Sequence, residues 1–329
     1  VSGKRQLGLF ATPEIKLRSR VRAVEPVEDV VALAKRLPST LRFGATSWTT
    51  PGWDGWVWQR RLPELVLARE GIGAYAEHPL LDTVLIDRAA RMPLATEVLA
   101  QLAKAVPPSF RFVLEANDGP FWGRIPDHPR FGPDAGKPNP LFFDPQAVLE
   151  RSIVPFMEGL AERGAVLLLR VPGQDPRALG TRRAFPERLH KFLEALPKGP
   201  RYAVELRDHK LLTNEYAQAL ADTGAIHCLS VHPRMSALDE QLEIVRPLDA
   251  DTVVLRWSMC PHFDYRAAAR NYAPFDAIVD RDHEARQALA NVIDRTTTAH
   301  TPTLVLVDDM AEGCAPATII ELAKEVATR

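Results

Sequence analysis

Cysteine is scarce. The chain of 329 residues holds three, Cys228, Cys260 and Cys314, far apart and never in a CxxC pair. That spacing excludes a disulfide framework or a cysteine zinc site. No apolar run approaches the roughly 20 residues that span a bilayer, and VSGKRQLGLF at the start lacks the apolar centre of a signal peptide. A cytoplasmic location with no membrane partner is therefore expected. Neither charge sign prevails: 41 Lys and Arg stand against 42 Asp and Glu. No whole-molecule field draws the chain to polyanions, so direct binding of duplex DNA is not expected. Neither GxGxxG nor GxxxxGK[ST] occurs, which removes the usual nicotinamide, flavin and P-loop nucleotide signatures. GxSxG and HExxH are absent too, and with them the common serine and zinc hydrolase motifs.

What is present is alternation. After a helical pattern at 27–37, which Pro38 stops, short β-branched or Leu-rich runs alternate with longer amphipathic ones. The runs lie at 42–46, 83–86, 111–114, 166–171, 202–206, 225–231, 252–257 and 304–307. Helices are predicted at 94–105, 146–163, 186–195, 214–222, 283–299 and 315–328. Near-continuous apolar strands joined by helix-length connections read as a parallel sheet covered by helices. Eight repeats predict an α/β fold, a single (β/α)8 TIM barrel with an N-terminal extension. Residues 1–25 form the tail and 26–329 the barrel, with a capping helix before the first strand near residue 42. The third βα loop, 117–145, is long and rich in Pro and Gly, and is read as a lid over the mouth.

In such a barrel the polar residues at the strand ends meet at one mouth. They are Trp48, Asp87, Glu115 with Asn117, Arg170, Glu205 with Arg207, His232, Arg256, and Asp308 with Asp309. A mixed ring of carboxylates and arginines suits a small anionic or polyhydroxylic ligand, the guanidinium groups acting as bidentate clamps. Mutual neutralisation of the same charges is the alternative. Glu205, Asp87, Glu115 and Asp308 are the candidate acids and bases, Glu205 foremost, because burial and the neighbouring Arg207 can tune it in either direction. These carboxylates with His232 or His262 also supply divalent-metal ligand types, so a metal stays open. Four of the six tryptophans fall in GATSWTTPGWDGWVW at 44–58. Trp48 and Trp53 are expected as flat pocket walls, Trp56 and Trp58 as packing beneath the loop.

The glycine strand with Trp48, the WxG at Trp53 to Gly55 and Tyr75-Ala76 followed by Thr83-Val84 occur in the order in which the YecE-like family has them. So do Glu205-x-Arg207, Arg256 and the Gly and Ala-rich turn at 313–317. From about Leu41 to the C-terminus the chain resembles that family. The resemblance implies a TIM barrel with a polar pocket, in a family known only as a domain of unknown function. Departures are visible: VLID where VEIN is usual, so Leu85 replaces a carboxylate and Asp87 an amide. Ala89-Ala90 replaces Phe-Tyr, Glu115 a lysine and Asp308-Asp309 an amide pair. The altered charge implies a different ligand or a balancing cation.

In the tail, Gln6, Leu7, Leu9 and Phe10 of QLGLF resemble the peptide by which bacterial proteins dock on the DNA sliding clamp, two apolar anchors and a polar end for a groove. Two functions follow. One is an enzyme, hydrolase or isomerase in type, acting on a small anionic, sugar-like or nucleotide-derived compound. The other is a non-catalytic module for a metabolite or nucleic-acid end, recruited to the clamp by its tail.

Overall fold

In a computed structural model, which describes residues 20–174, 176–179, 184–246, 250–259 and 265–329, eight parallel strands close into one barrel. They are β1 (Leu41–Ala45), β2 (Leu81–Ile86), β3 (Arg111–Glu115), β4 (Gly164–Val171), β5 (Tyr202–Leu206), β6 (Ile226–Val231), β7 (Val253–Trp257) and β8 (Thr303–Val307). Each pairs with the next, and β8 pairs with β1. Every strand lies within about two residues of its sequence-predicted run, because fully buried strands of a parallel barrel carry the clearest apolar signal.

The pleat sorts the strand residues into two cores. Leu85, Val113, Val166, Leu168, Ala203, Cys228, Val254 and Leu306 fill the barrel interior, all fully buried. Their neighbours, such as Val84, Leu114, Leu167, Val204, Leu255 and Val305, face the helices. Two residues apart means the same face. Ala203 therefore sets the side on which Glu205 and Arg207 stand, and Val254 the side of Arg256. The interior is apolar in its lower layers and ionic at the top.

One seam is irregular. The register of β1 against β2 shifts between Phe43 and Gly44. The strands approach so closely there that a Cβ on Gly44 would lie 2.0 Å from the Thr83 carbonyl oxygen, which requires glycine. The Tyr75 hydroxyl spans the gap, accepting from the Ala45 amide at 2.8 Å and donating to the Thr83 carbonyl at 3.0 Å. The glycine strand, Tyr75 and Thr83 are thus parts of one joint.

The helices at Glu28–Arg36, Thr96–Lys104, Ala184–Glu194, Asn214–Thr223, His283–Thr298 and Ala315–Ala327 match expectation. The predicted helix at 146–163 departs in kind: Pro145–Val148 is α, but Leu149–Ile153 and Phe156–Leu160 are π turns. Short helices at Glu64–Glu70, Leu238–Val245 and Tyr265–Tyr272 carry too few turns for a periodic signal and were not foreseen.

The long loop after β3, expected as a lid, is packed down as a wall in this structure. Phe121 and Phe143 from the loop pack on Phe192 of helix Ala184–Glu194, centroids 5.9 and 5.1 Å apart. Gln174 ties it to the β4 side through the Gly123 amide and the Phe121 carbonyl, both at 2.8 Å. Within it, the Asn139 amide donates to the Gly119 and Trp122 carbonyls. Closure over the mouth would sacrifice this aromatic packing.

The QLGLF residues Gln6, Leu7, Leu9 and Phe10 lie outside the described residues, as do Cys260 and His262. The last residues of the tail belong to the barrel: Val21 is buried, and the backbone of Arg22 to Val24 bonds to Val57 and Gln59 of the first βα loop. No described helix is long and apolar enough to cross a membrane.

Candidate functional site at the barrel mouth

At the top of the barrel five charged side chains, from β3, β4, β7 and the end of β5, interlock. Glu205, fully buried, accepts from Arg256 Nη1 on Oε2 at 2.7 Å, from Arg207 Nη2 on Oε1 at 2.8 Å, and from the Ser230 hydroxyl at 3.3 Å. Glu115, 2% exposed, accepts from Arg256 Nη1 at 3.1 Å and from Arg170 Nε. Arg207 Nη2 also donates to Ser258 Oγ at 3.0 Å. Burial alone would push both carboxyls up, but Arg170 and Arg256 about Glu115, and Arg207 and Arg256 about Glu205, hold them below the ordinary value. Arg256 is shifted upward: burial opposes its charge, and Glu205 and Glu115 more than compensate.

Those contacts correct the role expected of Glu205 and Glu115. Each keeps both oxygens engaged and its proton off, so neither is placed to exchange a proton with a ligand. They brace the arginines instead. The charges do neutralise one another in part, but Arg207 keeps 13% and Arg170 23% of its side-chain surface open to solvent. The arginines therefore present a partly open, rigid cationic floor.

Asp87 behaves differently. Burial, then Glu115 and Asp308, push its carboxyl up to about 6. No ion pair engages it among the described residues. Asp308 accepts from Thr46 Oγ1 at 2.7 Å and caps the short helix Asp309–Glu312 at the Met310 amide, 3.0 Å. Tyr265, 61% exposed, stands over the same side, its phenol raised by burial and then by Asp308. Across the mouth, burial and then Arg207, Arg234, Arg256 and Arg170 push His232 down to about 3. One side of the mouth is acidic and the other cationic.

Four further expectations are corrected. Trp48 is 1% exposed, its Nε1 donating to the Leu67 carbonyl at 3.2 Å and its ring covered by Arg88, whose Cζ lies 5.1 Å from the centroid. Trp53 is also 1% exposed, stacked at 6.4 Å on the fully buried Trp58. Both are packing residues, and Trp58 is one as expected; Trp56 is half-buried and donates to the Asp276 carbonyl. Asp309 accepts from Trp53 Nε1 at 2.9 Å, from the Ala315 amide at 2.8 Å and from Thr50 Oγ1 at 2.8 Å, so it fastens the tryptophan loop to the end of β8 rather than a ligand. Asn117 is likewise spent on the Ala90 carbonyl at 2.9 Å and on Arg151. Among the described residues no group of three or more His, Cys, Asp and Glu is placed to hold a metal ion. Arg234, Tyr265 and Thr46 were not singled out from the sequence: Arg234 lies in a turn after β6 and Tyr265 opens a short helix after β7, where no periodicity points at a cavity.

Comparison with known proteins agrees with this architecture. The family model described as "Protein of unknown function DUF72" matches residues 42–329. A DUF72 family protein from Thermotoga maritima has a similar structure, with TM-score 0.57 and 15% identity over 86% of this chain and 98% of that one. Another, from Enterococcus faecalis, gives TM-score 0.53 and 15% identity over 88% and 96%. At such identity the likeness concerns the fold. No curated protein matches at a significant level.

Proposed function

The chain belongs to the DUF72 family, the YecE-like family of its sequence motifs, and from that premise we propose that it is an enzyme acting on a small anionic compound at the C-terminal mouth. The observation that carries this reading is a single juxtaposition. A carboxyl pushed up to about 6 stands across the mouth from arginines that buried glutamates brace. A group that titrates near neutrality can both take and return a proton, which general acid–base catalysis requires. Preorganised guanidinium groups bind the charged end of a substrate without reorganising during reaction.

In this reading Arg207, Arg170 and, behind them, Arg256 clamp the anionic end. Asp87 moves the proton at the other end. Asp308, oriented by Thr46, and Tyr265 complete its polar surroundings. Hydrolysis or isomerisation of a sugar-like or nucleotide-derived substrate fits such a proton-transfer site. Docking of Gln6, Leu7, Leu9 and Phe10 on a sliding clamp rests on their sequence alone and is independent of the mouth.

Asp87→Asn is the test. Against a panel of phosphorylated and carboxylated sugars and nucleotides, the wild type is expected to turn over at least one compound, and the variant to lose roughly 10²- to 10⁴-fold in kcat. Ligand affinity should be retained. Full turnover by the variant, or tight ligand binding with no turnover by the wild type, would remove the enzyme reading.

A further inference from the structure

We propose that the β4 to β6 side of the mouth is a phosphate subsite, formed by Arg207, Arg234 and His232, and that the ligand is a small phosphate monoester. This deepens the reading above and rests on it. Four guanidinium groups, of Arg170, Arg207, Arg234 and Arg256, surround His232 closely enough to act on it, and three carboxylates are paired with them: the buried Glu115 and Glu205, and Asp118, 3.9 Å from Arg170. The remaining positive charge, fanned over several free N–H donors, suits the three acceptor oxygens of a phosphate better than the two of a carboxylate.

The donors are free as well as charged. Only Nη2 of Arg207 is engaged, by Glu205 and Ser258, and no other acceptor meets this guanidinium among the described residues. The Arg234 side chain has no ion-pair partner among them. Its Nη1 lies 3.6 Å from where a Cβ on Gly173 would stand, so its head reaches across β5 to the β4 loop, beside Arg207. His232 accepts the Arg234 backbone N–H on Nδ1 at 3.1 Å. The proton of the neutral ring is thereby on Nε2, where it can be donated to an anion.

A TIM barrel more often holds phosphate at the loops after strands 7 and 8, on the N-terminus of a short helix. Here those amides are taken. Asp308 accepts from Met310 N and Asp309 from Ala315 N, so the helix ends after β8 already carry the chain's own carboxylates. The same carboxylates repel a dianion. Arg88 and Arg91 stand near Asp87 on that side, but the denser group of arginines, Arg170, Arg207, Arg234 and Arg256, is on the opposite one.

The probes are inorganic phosphate, glycerol phosphate, acetate and a 5′-phosphorylated oligonucleotide, titrated into the full chain by calorimetry and by the His232 ring proton resonances. Phosphate and glycerol phosphate should bind more tightly than acetate, and more tightly at pH 7.5 than at pH 5.5, since the second phosphate ionisation lies near 6. Arg234→Gln, at an exposed position that folding does not need, should weaken phosphate binding about 10-fold or more, the loss expected of one charge-assisted hydrogen bond. His232→Gln, which keeps a donor, should weaken it less than His232→Ala. Bound phosphate should raise the His232 titration from its low value. Phosphate affinity indifferent to both Arg234→Gln and His232→Ala overturns the subsite; an oligonucleotide preferred far above glycerol phosphate overturns the small ester. Asp87→Asn separates the two readings: kept phosphate binding with lost turnover supports both, and kept turnover removes the acid–base role alone.

Discussion

Replacing Glu205 by glutamine keeps the shape of the side chain and removes its charge, which makes it a sharp test of the braced-arginine floor. In the wild type Glu205 is fully buried and serves Arg207 at 2.8 Å, Arg256 at 2.7 Å and Ser230 at 3.3 Å. The variant leaves Arg207 with no carboxylate and Arg256, 7% exposed, with Glu115 only. Removing one partner of a buried pair costs roughly 3–5 kcal/mol, because the surviving charge is left uncompensated. With an unfolding entropy of about 2.1 cal/mol/K per residue, a chain of 329 residues loses about 1.5 °C per kcal/mol, so the melting temperature should fall by roughly 4–7 °C. Glu205→Gln combined with Arg207→Gln should lose less than the sum of the two single changes. The pH dependence has a definite sign. The carboxyl is held below its ordinary value of 4.5, so its stabilisation is complete above that pH and is lost as pH falls through the lower folded value. The gap between wild type and variant should therefore hold from neutrality to about pH 4.5 and close below it. Thermal melts by circular dichroism across pH 3–8 measure it. An unchanged melting temperature with unchanged anion affinity would refute the bracing role.

Two other consequences are open to direct measurement. Burial pushes the Asp309 carboxyl up to about 7, so its ionisation costs stability as pH rises from about 4 through 7. Asp309→Asn can retain the bonds from Trp53 and Ala315 and should flatten that part of the profile in urea unfolding; a slope equal to the wild type's would assign the pH dependence elsewhere. Phe192→Ala should cost about 3–5 kcal/mol and free the loop after β3, seen as faster protease nicking between residues 117 and 145. Unaltered nicking would show that the Gln174 and Asn139 bonds hold the wall without the aromatic cluster.

The barrel was legible because its signal is local. Alternate residues of Tyr202–Leu206 face opposite ways, and that alone assigns Glu205 to the interior and Val204 to the helices. The set of charges at the mouth was legible for the same reason. The pairing was not, since whether Glu205 meets Arg207, Arg256 or Asp308 depends on strand tilt and stagger, which no single strand encodes. The tryptophans failed for a related reason. A loop at the mouth has an inner and an outer face, and only the Asp309 bond to Trp53 and the Arg88 cover on Trp48 decide which is turned in.

The pairing also settles what the acidic departures from the family pattern cost. Glu115 stands where the resemblance to the family implies a lysine, and Arg170 and Arg256 both reach it, so its charge is met within the chain. Asp309 stands in place of an amide and meets three neutral donors, and its upward shift lets a proton do what an ion would otherwise have to do. Asp87, also where the resemblance implies an amide, has neither ion pair nor donor set among the described residues; Arg256 and Arg91 ease its charge only in part, and burial leaves the carboxyl at about 6. Of the substituted acids it is the one that no donor holds among the described residues, which suits it to the proton transfer proposed for the mouth, with the anion held on the opposite side.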